Sequence, residues 1–179
     1  MASLLFFPDR RSVYVVGAAL ACALLLPSAV TAAAPEAAAP RATPVPRPEP
    51  GDVLPEFDTV GIDGKAQRVT FGKGSKTVLL FFQSGCPHCH KMIPEWNRAF
   101  QAKSAGLNVY GVMLDKEPPG FFILMPIDFP VLRSPGRQYL DQIKAFRVPT
   151  MVRVGAGGKV EDVAVGDADR MRVAQIFKP

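Results

Sequence analysis

The sequence predicts an α/β fold over residues 51–179, in which a central mixed sheet is flanked by helices. Residues 77–82 are apolar after the first position, as expected of a strand buried on both faces. Residues 87–103 then place apolar side chains at spacings of three and four, which indicates a helix. A second apolar run at 108–114 follows, so the two strands are expected to lie parallel in one sheet.

The remaining segments extend this unit at both ends. Upstream, an Asp-Gly turn at 62–65 separates two short β-like runs, which is typical of a β-hairpin. Downstream, residues 115–136 are less regular and rich in proline and glycine. In chain order, the further predicted elements are strands at 57–60 and 67–70, a possible extra strand at 129–132, a helix at 137–146, strands at 151–154 and 160–165, and a last helix at about 167–177 with Asp167 as its N-cap.

Residues 1–34 differ in composition from the rest and predict a secretory signal peptide. Arg10 and Arg11 precede an apolar stretch at 13–26, and small residues suitable for cleavage follow. An uncleaved membrane anchor is the alternative, although these 14 residues fall short of the ~20 that span a bilayer. Either interpretation predicts an exported protein of the bacterial periplasm or cell envelope.

Residues 35–50 hold six prolines and little that could form a core, which predicts a semi-rigid linker. Residues 51–179 are enough for one domain with its own core. This domain has 17 Lys or Arg and 13 Asp or Glu, a net charge of +4 without a basic cluster. Such scattered charge argues against nucleic-acid binding. No segment predicts oligomerisation, so a monomer is expected.

The chain has three cysteines and two histidines, and all but Cys22 of the leader lie within residues 86–90, in the order Cys-Pro-His-Cys-His. A Cys-x-x-Cys motif between a strand and a helix is typical of a redox-active dithiol. A purely structural disulfide is the alternative, but a bridge across so short a loop constrains the unfolded chain little. The motif therefore favours disulfide exchange through Cys86 and Cys89.

Beyond the dithiol, residues 51–179 resemble the thioredoxin superfamily, and within it the exported TlpA/ResA-like branch. The matching motifs are Gly-Asp-Val-Leu-Pro-Glu-Phe at 51–57, Asp-Gly-Lys at 63–65, Pro94 five residues after Cys89, Phe-Pro-Val-Leu at 129–132, Val-Pro-Thr at 148–150 and Gly-Gly-Lys at 157–159. The resemblance implies a thioredoxin fold with an N-terminal β-hairpin and a central insertion. It also implies that Pro149 is cis and packs opposite the cysteines, and that Pro87, Val148 and Thr150 contact the substrate.

The Pro-His pair between the cysteines is similar to that of the periplasmic Dsb-type disulfide oxidants. That likeness is local, because the segment between Cys86 and Pro149 has no room for the helical domain that those proteins insert. Leu80 stands where thioredoxins have a buried acid, Gly85 where they have tryptophan, and Met92 where many TlpA-like proteins have glutamate. These departures argue against ordinary thioredoxin-like reduction.

The motif also predicts a division of roles. Cys86 begins the predicted helix, where free N–H groups and the helix dipole stabilise a thiolate, so it is the expected nucleophile. Cys89 is expected to resolve the mixed disulfide. A protonated His88 adds positive charge beside Cys86 and makes the disulfide more oxidising, whereas Leu80 provides no acceptor for the Cys89 proton. His90 points about 100° away from Cys89 on a helix, so a solvated surface position is expected.

These expectations describe a thiol:disulfide oxidoreductase that acts on cysteine-containing proteins with a redox partner protein, without a cofactor or metal. A relatively oxidising couple is favoured, and specific reduction of a client such as an apocytochrome is the first alternative. A Cu(I)-binding metallochaperone is the second, because cysteine and histidine are soft and borderline ligands. A non-catalytic interaction module is the third, although the intact Cys-x-x-Cys motif argues against it.

Overall fold

The computed structural model describes residues 45–178, which form a five-stranded mixed sheet, flanking helices and a separate two-stranded sheet. In chain order the elements are β1 Phe57–Val60, β2 Ala66–Val69, β3 Lys76–Phe82, α1 Pro87–Gln101, β4 Leu107–Met113, α2 Phe121–Leu124, β5 Val131–Arg133, α3 Arg137–Gln142, β6 Thr150–Val154, a 3₁₀ turn Ala156–Gly158, β7 Val160–Val165 and α4 Arg170–Ile176. The large sheet has the order β5-β4-β3-β6-β7. Its architecture confirms the predicted thioredoxin fold, and β1 and β2 form the predicted N-terminal hairpin.

Strand β3 occupies the centre of the sheet because its side chains are apolar on both faces. Val78, Leu80 and Phe82 pack in the core layer that contains α1 and α4. Leu79 and Phe81 pack in the opposite layer, with α3 and the hairpin. All five side chains are fully buried. Because burying one such side chain stabilises the fold by about 1.5–3 kcal/mol, β3 is a major source of stability.

The strands around β3 bring three loops to one edge of the sheet. β4 is parallel to β3 over its full length, so the two strands end side by side at Phe82 and Met113. β6 is antiparallel to β3, and its first residue, Thr150, pairs with Phe81 near that same end. We call this the active-site edge: it holds the loops after β3 and β4 and the loop before β6. The Cys-x-x-Cys motif follows β3 there.

The segment between β4 and α3 contains one short helix and one edge strand. Phe121 of α2 is buried in the core, and β5 adds a third parallel strand beside β4. This strand confirms the extra strand predicted near 129–132. Helix α3 is shorter than predicted: it ends at Gln142, and Lys144 adopts a left-handed φ of 59° that cannot continue a right-handed helix.

The last helix begins later than predicted, and Asp167 is not its N-cap. Helix α4 begins at Arg170, and the Asp169 carboxylate caps it by accepting the Arg172 N–H at 2.7 Å. Two aspartates precede this helix, and the sequence pattern does not distinguish them. The structure selects Asp169 because Asp167 binds a side chain of α1, described below.

None of the helices in the described part of the chain has the length and apolar content needed to cross a bilayer. The leader or anchor predicted at 1–34 lies outside the described residues, as does the linker before residue 45. Both therefore stay predictions.

Two neighbouring glycines provide a matched test of the turn before β7. Gly157 and Gly158 have φ of 67° and 83°, and the Gly158 carbonyl accepts the Leu54 N–H at 2.8 Å. A Cβ on Gly158 would overlap the Leu54 carbonyl oxygen, whereas one on Gly157 would meet no atom within 4 Å. We expect Gly158→Ala to lower the free energy of unfolding by about 1–3 kcal/mol more than Gly157→Ala. Denaturant unfolding measures both losses, and equal losses would contradict this packing.

Candidate active site

Cys86 lies directly before α1 and caps it. Its Sγ accepts the backbone N–H of Cys89 at 3.2 Å, and Pro87 occupies the first helical turn, where its missing N–H costs no hydrogen bond. The Cys86 side chain is half-buried, and both cysteines are free thiols. The structure therefore places Cys86 where helix N–H groups and the helix dipole stabilise a thiolate.

Cys89 lies one turn further into α1 and has no exposed surface. Burial raises the pKa of the Cys89 thiol to about 12, and the adjacent Cys86 sulfur and the negative charge of Asp115 act in the same direction. Cys89 is therefore protonated at neutral pH. The dithiol is asymmetric, with one accessible sulfur at the helix end and one shielded sulfur behind it.

The loop before β6 lies beside this helix end. The Val148–Pro149 peptide bond is cis, as the resemblance implied. Val148 and Pro149 line a groove of about 430 Å³ together with His88 of α1. Thr150 is buried instead, and its Oγ1 donates to the Arg147 carbonyl at 2.8 Å. Of the predicted substrate contacts in this loop, Val148 and Pro149 face the groove, whereas the Thr150 side chain is internal.

His88 makes a contact with Asp167 across the groove that the sequence did not predict. Its Nδ1 lies 2.9 Å and 3.0 Å from the two carboxylate oxygens of Asp167, in the loop between β7 and α4. Both side chains are at least half exposed, at 61% and 50%, so the interaction is screened by water. Asp167 nevertheless opposes the positive charge that a protonated His88 would direct toward Cys86.

His90 is not a solvated surface residue, and the expectation for it was wrong. The ring is half-buried, and its Nε2 lies 2.6 Å from the Ser84 carbonyl oxygen. Since a carbonyl only accepts, Nε2 carries the proton and donates it. The ring also packs against Phe121, with centroids 6.1 Å apart. The loops after β3 and β4 cover this side of α1, which helical spacing alone could not show.

Sequence reasoning missed a partly buried polar pair at the active-site edge. The Ser84 N–H lies 2.9 Å and 3.1 Å from the two carboxylate oxygens of Asp115, and the Ser84 Oγ donates to one of them at 2.6 Å. Each residue lies two positions beyond a strand, after Phe82 and Met113 respectively. Polar residues that follow neighbouring parallel strands share one sheet edge, and this signal was available in the sequence.

The imidazoles do not converge on the thiols. His88 contacts Asp167, whereas His90 contacts the Ser84 carbonyl on another side of α1. Within residues 45–178, no group of three or more His, Cys, Asp or Glu is arranged to hold a metal ion.

The fold and the asymmetric dithiol define a thioredoxin-like oxidoreductase. The family model described as AhpC/TSA matches residues 50–163, and the chain belongs to the AhpC/TSA family. A comparison with curated proteins finds no significant match.

Several solved structures share the fold. A Chlorobium tepidum protein assigned as the thiol:disulfide interchange protein DsbE is 28% identical with a TM-score of 0.61, over 72% of this chain and 95% of that one. StoA from Bacillus subtilis is 21% identical with a TM-score of 0.60, over 70% and 98%. A secreted Mycobacterium tuberculosis disulfide oxidoreductase is 16% identical with a TM-score of 0.58, over 68% and 93%.

The two thiols should differ sharply in reactivity. With a pKa of about 12, only about one Cys89 side chain in ten thousand is a thiolate at pH 8. We expect iodoacetamide at pH 8 to modify Cys86 in the reduced protein and to leave Cys89 intact, as peptide mass spectrometry would show. In a Cys86→Ser variant, Cys89 should remain slow because burial, the main cause of its raised pKa, persists. Equal labelling of both thiols would contradict this assignment.

Proposed function

We propose that the protein is an extracytoplasmic thiol:disulfide oxidoreductase that exchanges disulfides with cysteine-containing proteins through Cys86 and Cys89. The observation that supports it most directly is the asymmetric dithiol at the N-terminus of α1, beside the groove of the cis Val148–Pro149 loop. The likeness to the Chlorobium tepidum protein, assigned as a thiol:disulfide interchange protein, supports the same class of reaction. The predicted leader at 1–34 supports export.

In this proposal each sulfur has one part of the exchange. The Cys86 thiolate attacks a client disulfide to form a mixed disulfide, and Cys89 then attacks Cys86 to release the reduced client. In the reverse direction, a client thiolate attacks the Cys86 sulfur of the oxidised protein, and Cys89 leaves. The groove at Val148 and Pro149 would receive the client polypeptide next to Cys86.

For the direction of exchange we propose a couple more oxidising than thioredoxin. The helix N-terminus at Cys86 stabilises the reduced form, and the Pro-His pair is similar to that of Dsb-type oxidants. Equilibration of the purified protein with glutathione buffers measures the potential. A value as low as that of thioredoxin, about −270 mV, would instead favour the alternative of a specific reductase.

Trapping tests the function itself. In a Cys89→Ser variant, a mixed disulfide on Cys86 cannot be resolved, so we expect covalent client adducts to accumulate in the native host. Non-reducing electrophoresis followed by mass spectrometry would identify them. The Cys86→Ser/Cys89→Ser double variant is the matched control and should trap nothing. If the single variant also traps nothing, the exchange function is wrong.

Asp167 should moderate the oxidising character of the dithiol. Replacing it in Asp167→Asn removes the charge that opposes His88, so the reduced form gains stability and the potential should rise. An exposed pair worth about 0.2–1 kcal/mol corresponds to about 5–20 mV. In a His88→Asn background the effect should shrink, and an unchanged effect would show that His88 is not the mediator.

A further inference from the structure

Cys89 faces a chemical problem that the dithiol alone does not solve. To attack a mixed disulfide it must lose its proton, yet it is fully buried and its pKa is raised to about 12. Fast resolution at neutral pH therefore requires a nearby proton acceptor. Leu80 of β3, buried in the core layer that also contains Cys89, cannot accept a proton.

Two carboxylates lie near the dithiol in the described part of the chain, on different sides of α1. Asp167 lines the groove and is engaged by His88. Asp115 lies beside the loop after β3, where the Leu114 N–H donates to the Phe82 carbonyl at 2.9 Å. The carbonyl of Gln83, in that same loop, accepts the Cys86 N–H at 3.3 Å. Asp115 is thus the carboxylate on the side of α1 that faces the loops after β3 and β4.

Ser84 holds this carboxylate in place relative to α1. Its N–H and Oγ both donate to Asp115, and its carbonyl accepts from His90, one residue after Cys89. Ser84 is only 6% exposed, and Asp115 and His90 are partly buried, so these hydrogen bonds are partly shielded from water. A carboxylate oxygen can accept more than one hydrogen bond, and Asp115 keeps lone pairs beyond those that Ser84 uses.

We propose that Asp115 receives the proton of Cys89 when Cys89 resolves the mixed disulfide. This inference rests on the proposed function. The Cys89 proton passes to the Asp115 carboxylate, Cys89 Sγ bonds to Cys86 Sγ, and the bond between Cys86 and the client sulfur breaks. The client leaves as a thiolate and takes up the proton. The dithiol is oxidised to a disulfide, and the client disulfide is the oxidant.

The reduced protein shows no hydrogen bond between Asp115 and Cys89. Transfer therefore occurs through water, or after the two groups approach in the mixed disulfide, as is common for proton acceptors in resting enzymes. The other titratable groups close to these two residues in sequence are Cys86, His88 and His90 on α1, together with Lys116 and Glu117 after β4; Glu117 is paired with Arg133.

A proton-accepting role and a purely electrostatic role of Asp115 predict opposite changes in the rate of resolution when its charge is removed. A fixed negative charge only makes Cys89 less acidic, so its removal in Asp115→Asn would lower the Cys89 pKa and speed resolution. A carboxylate that accepts the proton also carries this negative charge. Its removal therefore lowers the pKa of Cys89 but slows resolution. The rate of resolution and the pH profile of Cys89 alkylation together separate the two roles.

Ellman's reagent, 5,5′-dithiobis(2-nitrobenzoate), measures the two steps separately on the reduced protein. The first equivalent of thionitrobenzoate released reports attack by Cys86, and the second reports resolution by Cys89. In Asp115→Asn we expect the first phase within about twofold of wild type and the second slowed about tenfold or more. Asp115→Glu should restore part of the second phase. Asp128→Asn, whose carboxylate contacts Gln101 instead, is the control and should change neither phase.

The outcomes distinguish this inference from the proposed function. A second phase that is unchanged or faster in Asp115→Asn, with a normal first phase, overturns the role of Asp115 alone. A wild-type protein without the first phase overturns the exchange function, and the role of Asp115 with it. If Asp115→Asn does not fold, Ser84→Ala removes only one hydrogen bond from the carboxylate. It should still slow the second phase selectively, and an unchanged second phase would overturn the proposal.

Discussion

The site depends on the burial of β3 on both faces. Because its side chains fill both core layers, β3 takes the central position and its neighbours are aligned along its length. The parallel β4 then ends beside it, and the antiparallel β6 begins there. The cysteines, the Ser84–Asp115 pair and the cis Val148–Pro149 loop therefore meet at one edge, although they are far apart in sequence.

Burial at this edge makes two chemically identical thiols different. Cys86 lies at the end of α1, half-exposed and close to free N–H groups, whereas Cys89, one turn later, is enclosed by the core. The same enclosure that protects Cys89 from unrelated reactions also raises the pKa of its thiol, with Asp115 adding to the effect. The burial that shields Cys89 also makes its proton harder to remove. The polar groups around Ser84 lie at this same edge of the sheet.

The residues around the Cys-Pro-His-Cys motif affect its redox behaviour, so the motif sequence alone does not determine that behaviour. A Cys-Pro-His-Cys sequence places a histidine near the nucleophile, which favours oxidising chemistry when the imidazole is charged. Here His88 contacts the Asp167 carboxylate, and His90 donates to the Ser84 carbonyl. Family membership and fold define the class of reaction, while the balance of nearby charges sets its direction.

Apolar periodicity and the spacing of Cys86 and Cys89 were sufficient to predict an α/β fold and the location of the dithiol, because both are short-range patterns. The thioredoxin fold and the cis Pro149 were implied by the resemblance of several motifs to a known family. The same patterns were not sufficient to predict helix boundaries or the hydrogen-bond partners of polar side chains. Asp167 matched an N-cap pattern and His90 a surface position, yet Asp167 pairs with His88 of α1, and His90 donates to the Ser84 carbonyl in the loop before that helix. Hydrogen-bond partners across a sheet edge depend on strand register and loop path, so the tertiary structure alone determined which carboxylate pairs with His88 and which pairs with Ser84.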